Sequence, residues 1–433
     1  MVSQQVPDIH PSSDPTIYQE YVTKFATLPT DWSGWLQRAR EVSDILAVDA
    51  AAREKANQSP RAEVALLKHS GLTKILGPKK YGGGEQPWSV AYKAIRIVAH
   101  GDGSIGMLLG YHLLWSTTAN VVGSQEQAHR FAKLITENNY FLGGAVNPRD
   151  SDLVITTTDS HITFNGAKHF NTGGVVSDLT VLEGAIDGRP EEHIFAIVPT
   201  QQEGISFAYN WDNVGLRLTE SGSVKIENVS APWEDALGWD VSTKKPDSNV
   251  LGIQFGSLFL PTIQLVFVNF YLGIAQGALD FAAKYTKSNT RSWPYGGDNK
   301  ESSTDEFYIL STYGNFFAHL RAAETLVDRA GEEADKVYAK YSGENRAGLT
   351  ARERGEFAEW VASAKVVATD TGLRVTSGIF ELTGSRSTHS KVGLDRFWRD
   401  IRIHSLHDPL AYKNRELGRY LLLDEIPEPT WYT

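Results

Sequence analysis

The sequence predicts an α+β fold in which a helical region comes first, a small antiparallel β domain follows and a helical bundle completes the chain. The prediction rests on the period of the apolar residues, which is helical over 16–139, alternating over 141–229 and helical again over 252–420. The expected parts are a disordered N-terminus at 1–14, an N-terminal helical domain at 15–140, a middle β domain at 141–250 and a C-terminal helical bundle at 251–433.

Two motifs in the first helical region resemble cofactor sites, but ordinary helix features explain both better. Gly101-Asp-Gly103-Ser-Ile-Gly106 matches the glycine pattern of dinucleotide-binding turns. That fingerprint follows a strand, whereas Trp88–His100 has a helical pattern, so we expect a tight corner between two helices. Glu126-x-x-His129 is half of a di-iron signature. Because no second copy occurs in the sequence, we expect a surface helix there.

The middle region carries short strands. Apolar residues alternate along the segment from Leu153 to Thr157. Asn165-Gly166 predicts a two-residue hairpin turn that joins a strand at 161–164 to a strand at 167–170, because this pair tolerates positive φ. Further strands are predicted at Leu179–Ile186, His193–Pro199 and Ser223–Val229.

The C-terminal region has the longest apolar segments. Residues 257–279 include no charged side chain, which satisfies the length rule for a membrane span. Pro261 and Gln264 interrupt the segment, however, so we expect a helix that is buried within a bundle. One apolar stripe from Phe316 to Tyr341 predicts a long helix, and small residues at helical spacing predict another over 350–376.

The composition of the 433 residues restricts the class of protein. The net charge is −10 and there is no basic tract, which argues against nucleic acid as a partner. Cysteine is absent, and this excludes disulfides, thiolate nucleophiles and cysteine-ligated metal centres. The first 14 residues are polar and lack the apolar core of a signal peptide, so we expect a cytoplasmic protein.

The densest cluster of chemically active side chains lies near the C-terminus, between Arg396 and Pro409. His404 and His407 are three residues apart, and Asp408 follows the second. Because imidazole titrates near neutral pH, such a pair can exchange protons or orient a reactive oxygen species. The alternative is a capped helix end with stacked aromatic rings. A metal site would need a third ligand, and the sequence offers no evident one.

The order of the three parts, together with several ordered motifs, resembles the acyl-CoA dehydrogenase superfamily over nearly the whole chain. More closely, the chain resembles its flavin-dependent monooxygenase branch, which the dibenzothiophene monooxygenases typify. The matching segments are Tyr81-Gly-Gly83, Gly101–Gly106, Gly110-Tyr-His-Leu113, Gly123-Ser-Gln-Glu-Gln127, Asn165–Phe170, Tyr271–Leu279 and Arg396–Lys413.

The resemblance implies roles for particular residues. His112, Thr172 and His407 are the implied catalytic residues, with His112 assisting proton transfer or substrate placement and His407 beside the reactive edge of the flavin. Two β segments would line the flavin ring. Two arginine-bearing segments would contact its phosphate, one of them from a neighbouring subunit. The implied flavin-binding residues are Gly144, Ala145, Val146 and Asn147; Lys168, His169, Phe170, Asn171 and Thr172; Arg291; Ser385 and Arg386; and His407.

The resemblance also implies a two-component monooxygenase. A separate NAD(P)H-dependent flavin reductase would supply reduced FMN, with FAD as the alternative cofactor. O2 would then form a C4a-hydroperoxide on the flavin, which oxygenates a small sulfur-containing, nitrogen-containing or aromatic substrate. The implied assembly is a homo-oligomer, a tetramer as in similar proteins. No metal, membrane or nucleic-acid partner is implied.

Two departures from the branch leave the substrate open, and a second activity is open as well. The sulfur-oxidising members carry asparagine where Gly144 stands and serine where Thr172 stands, which puts dibenzothiophene itself in doubt. When Arg399-Asp400 is aligned with the arginine–aspartate pair of acyl-CoA dehydrogenases, Asp408 lies near their catalytic base. Nitroalkane oxidases of the same fold use an aspartate there. The rival is therefore an acyl-CoA dehydrogenase or nitroalkane oxidase that uses Asp408 as its base.

Overall fold

The computed structural model describes residues 11–146, 153–189, 192–296 and 300–429. Helices fill the first of these ranges and end shortly before the first strand. They are α1 (Tyr21–Lys24), α2 (Trp32–Ala47), α3 (Ala50–Ala56), α4 (Arg61–Ser70), α5 (Trp88–Gly101), α6 (Gly103–Ser116), α7 (Thr118–Val122) and α8 (Gln125–Asn138).

The glycine motif between α5 and α6 forms the expected helix corner. Asp102 separates the two helices and caps α6, because its carboxylate accepts a hydrogen bond from the amide of Ile105 at 3.2 Å. A Cβ atom at Gly106 would lie 2.4 Å from the Cβ atom of Ala99, so glycine allows the helices to touch there. The prediction of a helix corner is confirmed. Glu126 and His129 are exposed on α8, as predicted.

The N-terminus is more ordered than the sequence predicted. Ser12 forms a β-bridge with Ser59, and the hydroxyl of Ser13 donates to Glu63 at 2.8 Å. These contacts satisfy buried polar groups and hold the segment against α4. The predicted disorder of residues 1–14 is therefore wrong for 11–14, and residues 1–10 lie outside the described residues.

The middle part is a sheet that includes parallel pairs. Strand β4 pairs antiparallel with β5 along most of its length, and its two ends pair in parallel with β1 and β2. The predicted antiparallel domain is therefore a mixed one, because long connections bring β1 and β2 alongside β4 in the same direction. The strands are β1 (Leu142–Ala145), β2 (Val154–Thr157), β3 (His161–Lys168), β4 (Leu179–Ile186), β5 (His193–Pro199), β6 (Ile205–Phe207) and β7 (Val224–Pro232), with a separate ribbon of β8 (Trp239–Asp240) and β9 (Lys245–Pro246).

The predicted hairpin turn at Asn165-Gly166 is wrong. Both residues lie inside the single strand β3, which pairs with β2 on one side and β7 on the other. The register along β7 shifts between Phe164 and Gly166, so the glycine serves a β-bulge, with φ 139°. Pairing on both edges of β3 outweighs the local turn preference of Asn-Gly.

The C-terminal part is a bundle built around one buried helix. It consists of α9 (Phe259–Asn289), α10 (Phe307–Lys340), α11 (Ala351–Thr383), α12 (Asp395–His404) and α13 (Leu410–Leu423). The helical stretch from Gln254 to Asn289 is long and apolar enough to cross a membrane, but 89% of its most apolar window is buried inside the protein. The prediction of a buried core helix is confirmed. The apolar stripe from Phe316 to Val337 is buried along α10, as predicted.

Candidate functional site

The junction between α12 and α13 presents a half-exposed histidine on an anchored carboxylate. Nδ1 of His407 lies 2.7 Å from Oδ1 of Asp408. The other carboxylate oxygen accepts hydrogen bonds from the ammonium of Lys365 and from Nε2 of Gln264, the latter at 3.2 Å. The side chain of His407 is 49% exposed, and its Nε2 has no hydrogen-bond partner among the described residues.

The electrostatics of this junction keep the carboxylate charged. Burial alone would raise the pKa of Asp408, but the hydrogen bond from His407 and the charge of Lys365 outweigh it. The pKa of Asp408 therefore lies well below its usual range. An ionised acceptor favours the tautomer of His407 that carries a proton on Nδ1. In that tautomer Nε2 carries a lone pair, so it is the ring atom that can accept a hydrogen bond or a proton from a ligand.

His404 lies directly behind His407 and has a structural role. Its two ring nitrogens lie 3.1 Å from the hydroxyl of Tyr111 and 2.7 Å from the hydroxyl of Tyr271. The two imidazole rings stack with centroids 5.2 Å apart and planes at 13°. Burial and then the nearby His407 lower the pKa of His404 well below its usual range, so this ring is neutral. Because tyrosines occupy both nitrogens, the alternative of a metal ligand at His404 has no support.

His112 on α6 is fully buried and makes two hydrogen bonds to backbone groups. Its Nδ1 accepts from the amide of Leu142 at 3.0 Å, and its Nε2 lies 2.8 Å from the carbonyl oxygen of Thr73. Its ring stacks on Phe141 with centroids 4.7 Å apart. Burial lowers the pKa of His112 to about 4. This geometry is that of a neutral histidine that joins α6 to the start of β1, and it leaves neither nitrogen for a ligand.

The two β segments implied for the flavin ring lie side by side. The amide of Gly144 in β1 donates to the carbonyl oxygen of Thr172 at 3.4 Å. Gly144 and Ala145 are buried and Val146 is partly buried, whereas Asn147 lies outside the described residues. The hydroxyl of Thr172 lies 2.9 Å from that of Ser221, so a neighbouring loop fixes its orientation.

The side chains from 168 to 171 point in different directions. Lys168 is fully buried, and its ammonium forms an ion pair with Glu183 of β4 at 2.9 Å. The Nδ1 atom of His169 lies 2.8 Å from the hydroxyl of Ser223, and Asn171 is buried. Phe170 is 62% exposed and has a left-handed backbone with φ 60°. A bulky residue in this conformation is unusual, and such strain is concentrated at binding sites.

The implied phosphate contacts lie together at the far end of the bundle. Thr290, which precedes the exposed Arg291, donates its hydroxyl to the carbonyl oxygen of Thr383 at 3.1 Å, just before Ser385 and Arg386. Arg386 is exposed and borders an open cleft with His389 and Lys391. Thr383 is 18 positions from Lys365 in α11, about 27 Å along a helix that rises about 1.5 Å per residue. The structure therefore brings these cations together, but far from His407.

The described residues fit a flavin at these places. Phe170 offers an exposed aromatic ring beside β1, and His407 offers a free ring nitrogen supported by an ionised acid. The cations near Arg386 suit phosphate oxygens. Phe170 and His407 suit a planar ring and can hold or move one proton beside it, whereas the distant cations suit a phosphate.

Sequence reasoning missed the partners that make His407 distinctive. Lys365 is the only basic residue between Arg354 and Arg374, and this isolated cation in a helix rich in small residues was the available signal. Tyr271 was visible as one of the few polar groups in the uncharged segment 257–279. Neither signal could have named its partner, because both contact residues that are distant in sequence.

Two protein-family models match parts of this chain. Residues 37–138 match the N-terminal domain of acyl-CoA dehydrogenase, and residues 265–411 match its C-terminal domain. The dibenzothiophene monooxygenase of Rhodococcus erythropolis is 36% identical over 90% of this chain and 94% of that protein. A probable FMNH2-dependent monooxygenase, SfnC of Pseudomonas putida, is 32% identical over 91% of this chain and 96% of that protein.

Solved structures agree with these matches. Methanesulfinate monooxygenase MsuC of Pseudomonas fluorescens superposes with a TM-score of 0.85 at 34% identity, covering 92% of this chain and 99% of that one. FMN-bound TdsC, a dibenzothiophene monooxygenase of Paenibacillus sp. A11-2, superposes with a TM-score of 0.84 at 33% identity, covering 92% and 100%. The chain therefore belongs to the acyl-CoA dehydrogenase family, in the group of flavin-dependent monooxygenases that includes dibenzothiophene monooxygenase.

Proposed function

We propose that this protein is the oxygenase component of a two-component monooxygenase that uses reduced FMN and O2. The observation that carries the proposal is the anchored His407, whose Nδ1 is held by Asp408 and whose Nε2 has no partner among the described residues. Similar proteins also support the proposal. They are named as FMNH2-dependent or dibenzothiophene monooxygenases, and the structure of one of them was solved with FMN bound.

The cofactor supplies the electrons of the reaction. When bound, reduced FMN activates O2 so that one oxygen atom reaches the substrate and the other leaves as water. His407 holds a hydrogen bond at the reacting oxygen through Nε2, while Asp408 and Lys365 keep its ring oriented. Thr172, fixed by Ser221, presents its hydroxyl at the flavin edge.

We assign His112 a positioning role in place of the proton transfer that the resemblance implied. Both of its nitrogens bond backbone groups, and its low pKa keeps it neutral at physiological pH. It connects α6 to the amide of Leu142, two residues before Gly144. Its contribution is therefore to hold the flavin-facing strand β1 in place.

We propose FMN rather than FAD, because one cluster of cations serves one phosphate. Arg291, Ser385 and Arg386 lie at the same end of the bundle. That cluster is remote from His407 along α11, so we propose that it serves the flavin of a neighbouring copy.

The surface near Arg291 supports a homo-oligomer, which we propose to be a tetramer. Trp293 is 62% exposed and Phe307 is 82% exposed, and Leu310 and Phe317 continue the apolar surface along α10. Exposed apolar surface of this extent is typical of protein interfaces. A second copy that covers this face would also bring its own Arg291 to a flavin.

We propose a separate NAD(P)H-dependent flavin reductase as the source of reduced FMN. The sequence carries no dinucleotide-binding turn at Gly101–Gly106, where the structure has a helix corner. Helix α9 is buried inside the protein and is therefore no evidence for a membrane span. We propose that the protein is cytoplasmic, with a small molecule and O2 as its other partners.

The dehydrogenase and oxidase alternative gains no support from the geometry. A base for α-proton removal needs a carboxylate oxygen that can reach substrate. Both oxygens of Asp408 are engaged by His407, Lys365 and Gln264. Those contacts suit an acid that orients a histidine.

Rapid mixing tests the proposal. The protein with reduced FMN, mixed with oxygenated buffer, should give a transient flavin absorbance distinct from both reduced and oxidised flavin, and oxygen incorporated into an organosulfur or amine substrate. The control is Asp408→Asn, which should weaken oxygen transfer while leaving nitroalkane and acyl-CoA turnover absent. Flavin reoxidation at the rate of free FMN would contradict the proposal, as would turnover of nitroalkanes or acyl-CoA that depends on Asp408.

A further inference from the structure

The indole of Trp115 occupies the space beside Gly144. Trp115 lies on α6, and a Cβ atom built at Gly144 would be 2.5 Å from Cε2 and 2.7 Å from Nε1 of that indole. Non-bonded heavy atoms do not come this close in proteins, so no side chain fits at position 144 while the indole stays in place. The absence of a side chain at Gly144 and the presence of the indole are therefore one structural feature.

The indole N–H of Trp115 is buried without a hydrogen-bond partner among the described residues. The side chain is 6% exposed and is surrounded by aromatic rings, with Tyr111 at 6.3 Å and Phe259 at 6.2 Å between centroids. Buried donors are almost always paired, and buried tryptophans usually have a partner for their N–H. Trp239 and Trp233 follow that rule, donating to the carbonyl oxygens of His193 and Thr158 at 3.1 and 3.0 Å.

The unpaired donor lies beside strand β1, which we propose to face the flavin. Gly144, which the indole touches, donates its amide to Thr172 on the flavin-facing side. On its other side, Trp115 contacts Tyr111, which is hydrogen-bonded to His404 behind His407. The indole thus lies between the flavin-facing strands and the histidine that we propose to act on oxygen.

We propose that Trp115 determines substrate choice, which rests on the proposed monooxygenase function. Its N–H binds an oxygen atom of a compact organosulfur substrate such as a sulfinate, and its ring takes up the volume that a fused tricyclic substrate would need. A sulfinate has the required acceptor oxygen beside a sulfur lone pair. Addition of one oxygen atom to that lone pair gives the sulfonate, the second atom of O2 leaves as water, and reduced FMN supplies both electrons.

The first test needs neither flavin nor turnover. Trp115→Phe removes part of a buried ring, as its matched control does, but the donor that it removes lacks a partner, so the melting temperature of the protein without ligand should fall less than that of the control. The matched control is Trp239→Phe, which removes a donor that is paired with His193 and should lower the melting temperature. A fall for Trp115→Phe as large as that of the control would mean that the donor has a structural partner, and would overturn the proposal.

The second test measures binding by calorimetry, with methanesulfinate and dibenzothiophene as probes and oxidised FMN present. Methanesulfinate should bind the unaltered protein, and Trp115→Phe should weaken that binding about tenfold, the loss expected for one hydrogen bond. Trp115→Ala should gain binding of dibenzothiophene. Equal methanesulfinate affinity in Trp115→Phe, no methanesulfinate binding to the unaltered protein, or dibenzothiophene binding that is as tight before the change as after it would each overturn the proposal.

The transient flavin absorbance separates this inference from the function on which it rests. Measured without substrate, its absence from the unaltered protein counts against the monooxygenase itself. Its presence together with unchanged probe selection in both Trp115 variants counts against the role of Trp115 alone.

Discussion

Two regions of the protein each place a histidine near the proposed flavin, but the surroundings of the two histidines differ. His112 has both ring nitrogens bonded to backbone groups and is fully enclosed. His407 has one nitrogen anchored by Asp408 and the other open, and half of its side chain is exposed. A histidine that must exchange a proton needs one free nitrogen and one fixed nitrogen, and only the second region provides both.

The comparison separates a structural role from a chemical one. The resemblance assigned both histidines to catalysis, because it transfers roles by position along the chain. Hydrogen-bond partners decide which nitrogen is available, and these come from residues distant in sequence. The following experiments change the anchored region first, then the enclosed one.

The largest effect is expected from Lys365→Met. The change leaves the carboxylate of Asp408 beside apolar surface without its cation, and breaking one side of a buried ion pair costs about 3 kcal/mol or more of unfolding free energy. Chemical denaturation monitored by circular dichroism measures the loss. The paired variant Lys365→Met with Asp408→Asn should recover most of that stability, since no uncompensated charge remains. If the double variant is as unstable as the single one, the ion pair is not the cause.

Acid should destabilise the enclosed region. Because the pKa of His112 is about 4 in the folded protein, the unfolded chain binds a proton there first as pH falls below about 6.5. The stability that the neutral ring contributes is complete above pH 6.5 and is lost as pH falls toward 4, by up to about 3 kcal/mol. The unfolding free energy, measured by denaturation across this pH range, should change less with pH for His112→Gln than for the unaltered protein. Identical slopes for the two proteins would show that His112 is not held neutral.

A smaller effect is expected from His112→Gln at neutral pH. The amide can replace one of the two backbone hydrogen bonds but not both, so unfolding should become easier by about 1 kcal/mol. The rate of oxygen transfer per folded molecule should be unchanged. A loss of rate larger than the loss of folded protein would return His112 to a chemical role.

Much of the fold could be predicted from the sequence because its signals are local. Strands β4 and β5 were predicted to the residue from their apolar composition, and residues 257–279, most of which lie in α9, were predicted as a core helix from their lack of charge. The Asn165-Gly166 turn failed because pairing with β2 and β7 on both edges of β3 is not visible in a short segment.

The candidate site was only partly predictable. His407 and Asp408 are adjacent in the chain, so their cluster could be read directly. Lys365 is 43 residues away from Asp408, and Tyr111 is 293 residues from His404, so only folding brings them together. The ion pair of Lys168 with Glu183, 15 residues away, and the contact of Trp115 with Gly144 also gave no signal in the sequence.

Single-turnover product yield in His407→Ala and His112→Gln tests the central claim most directly. Each protein, loaded with reduced FMN and substrate, is mixed with oxygenated buffer, and the oxygenated product is counted per flavin while the transient absorbance is followed. His407→Ala should slow oxygen transfer by about a hundredfold or more, because the loss of one well-placed hydrogen bond at the reacting oxygen has an effect of that size. His112→Gln should give the yield of the unaltered protein. Normal yield from His407→Ala, with the loss appearing in His112→Gln instead, would contradict the account.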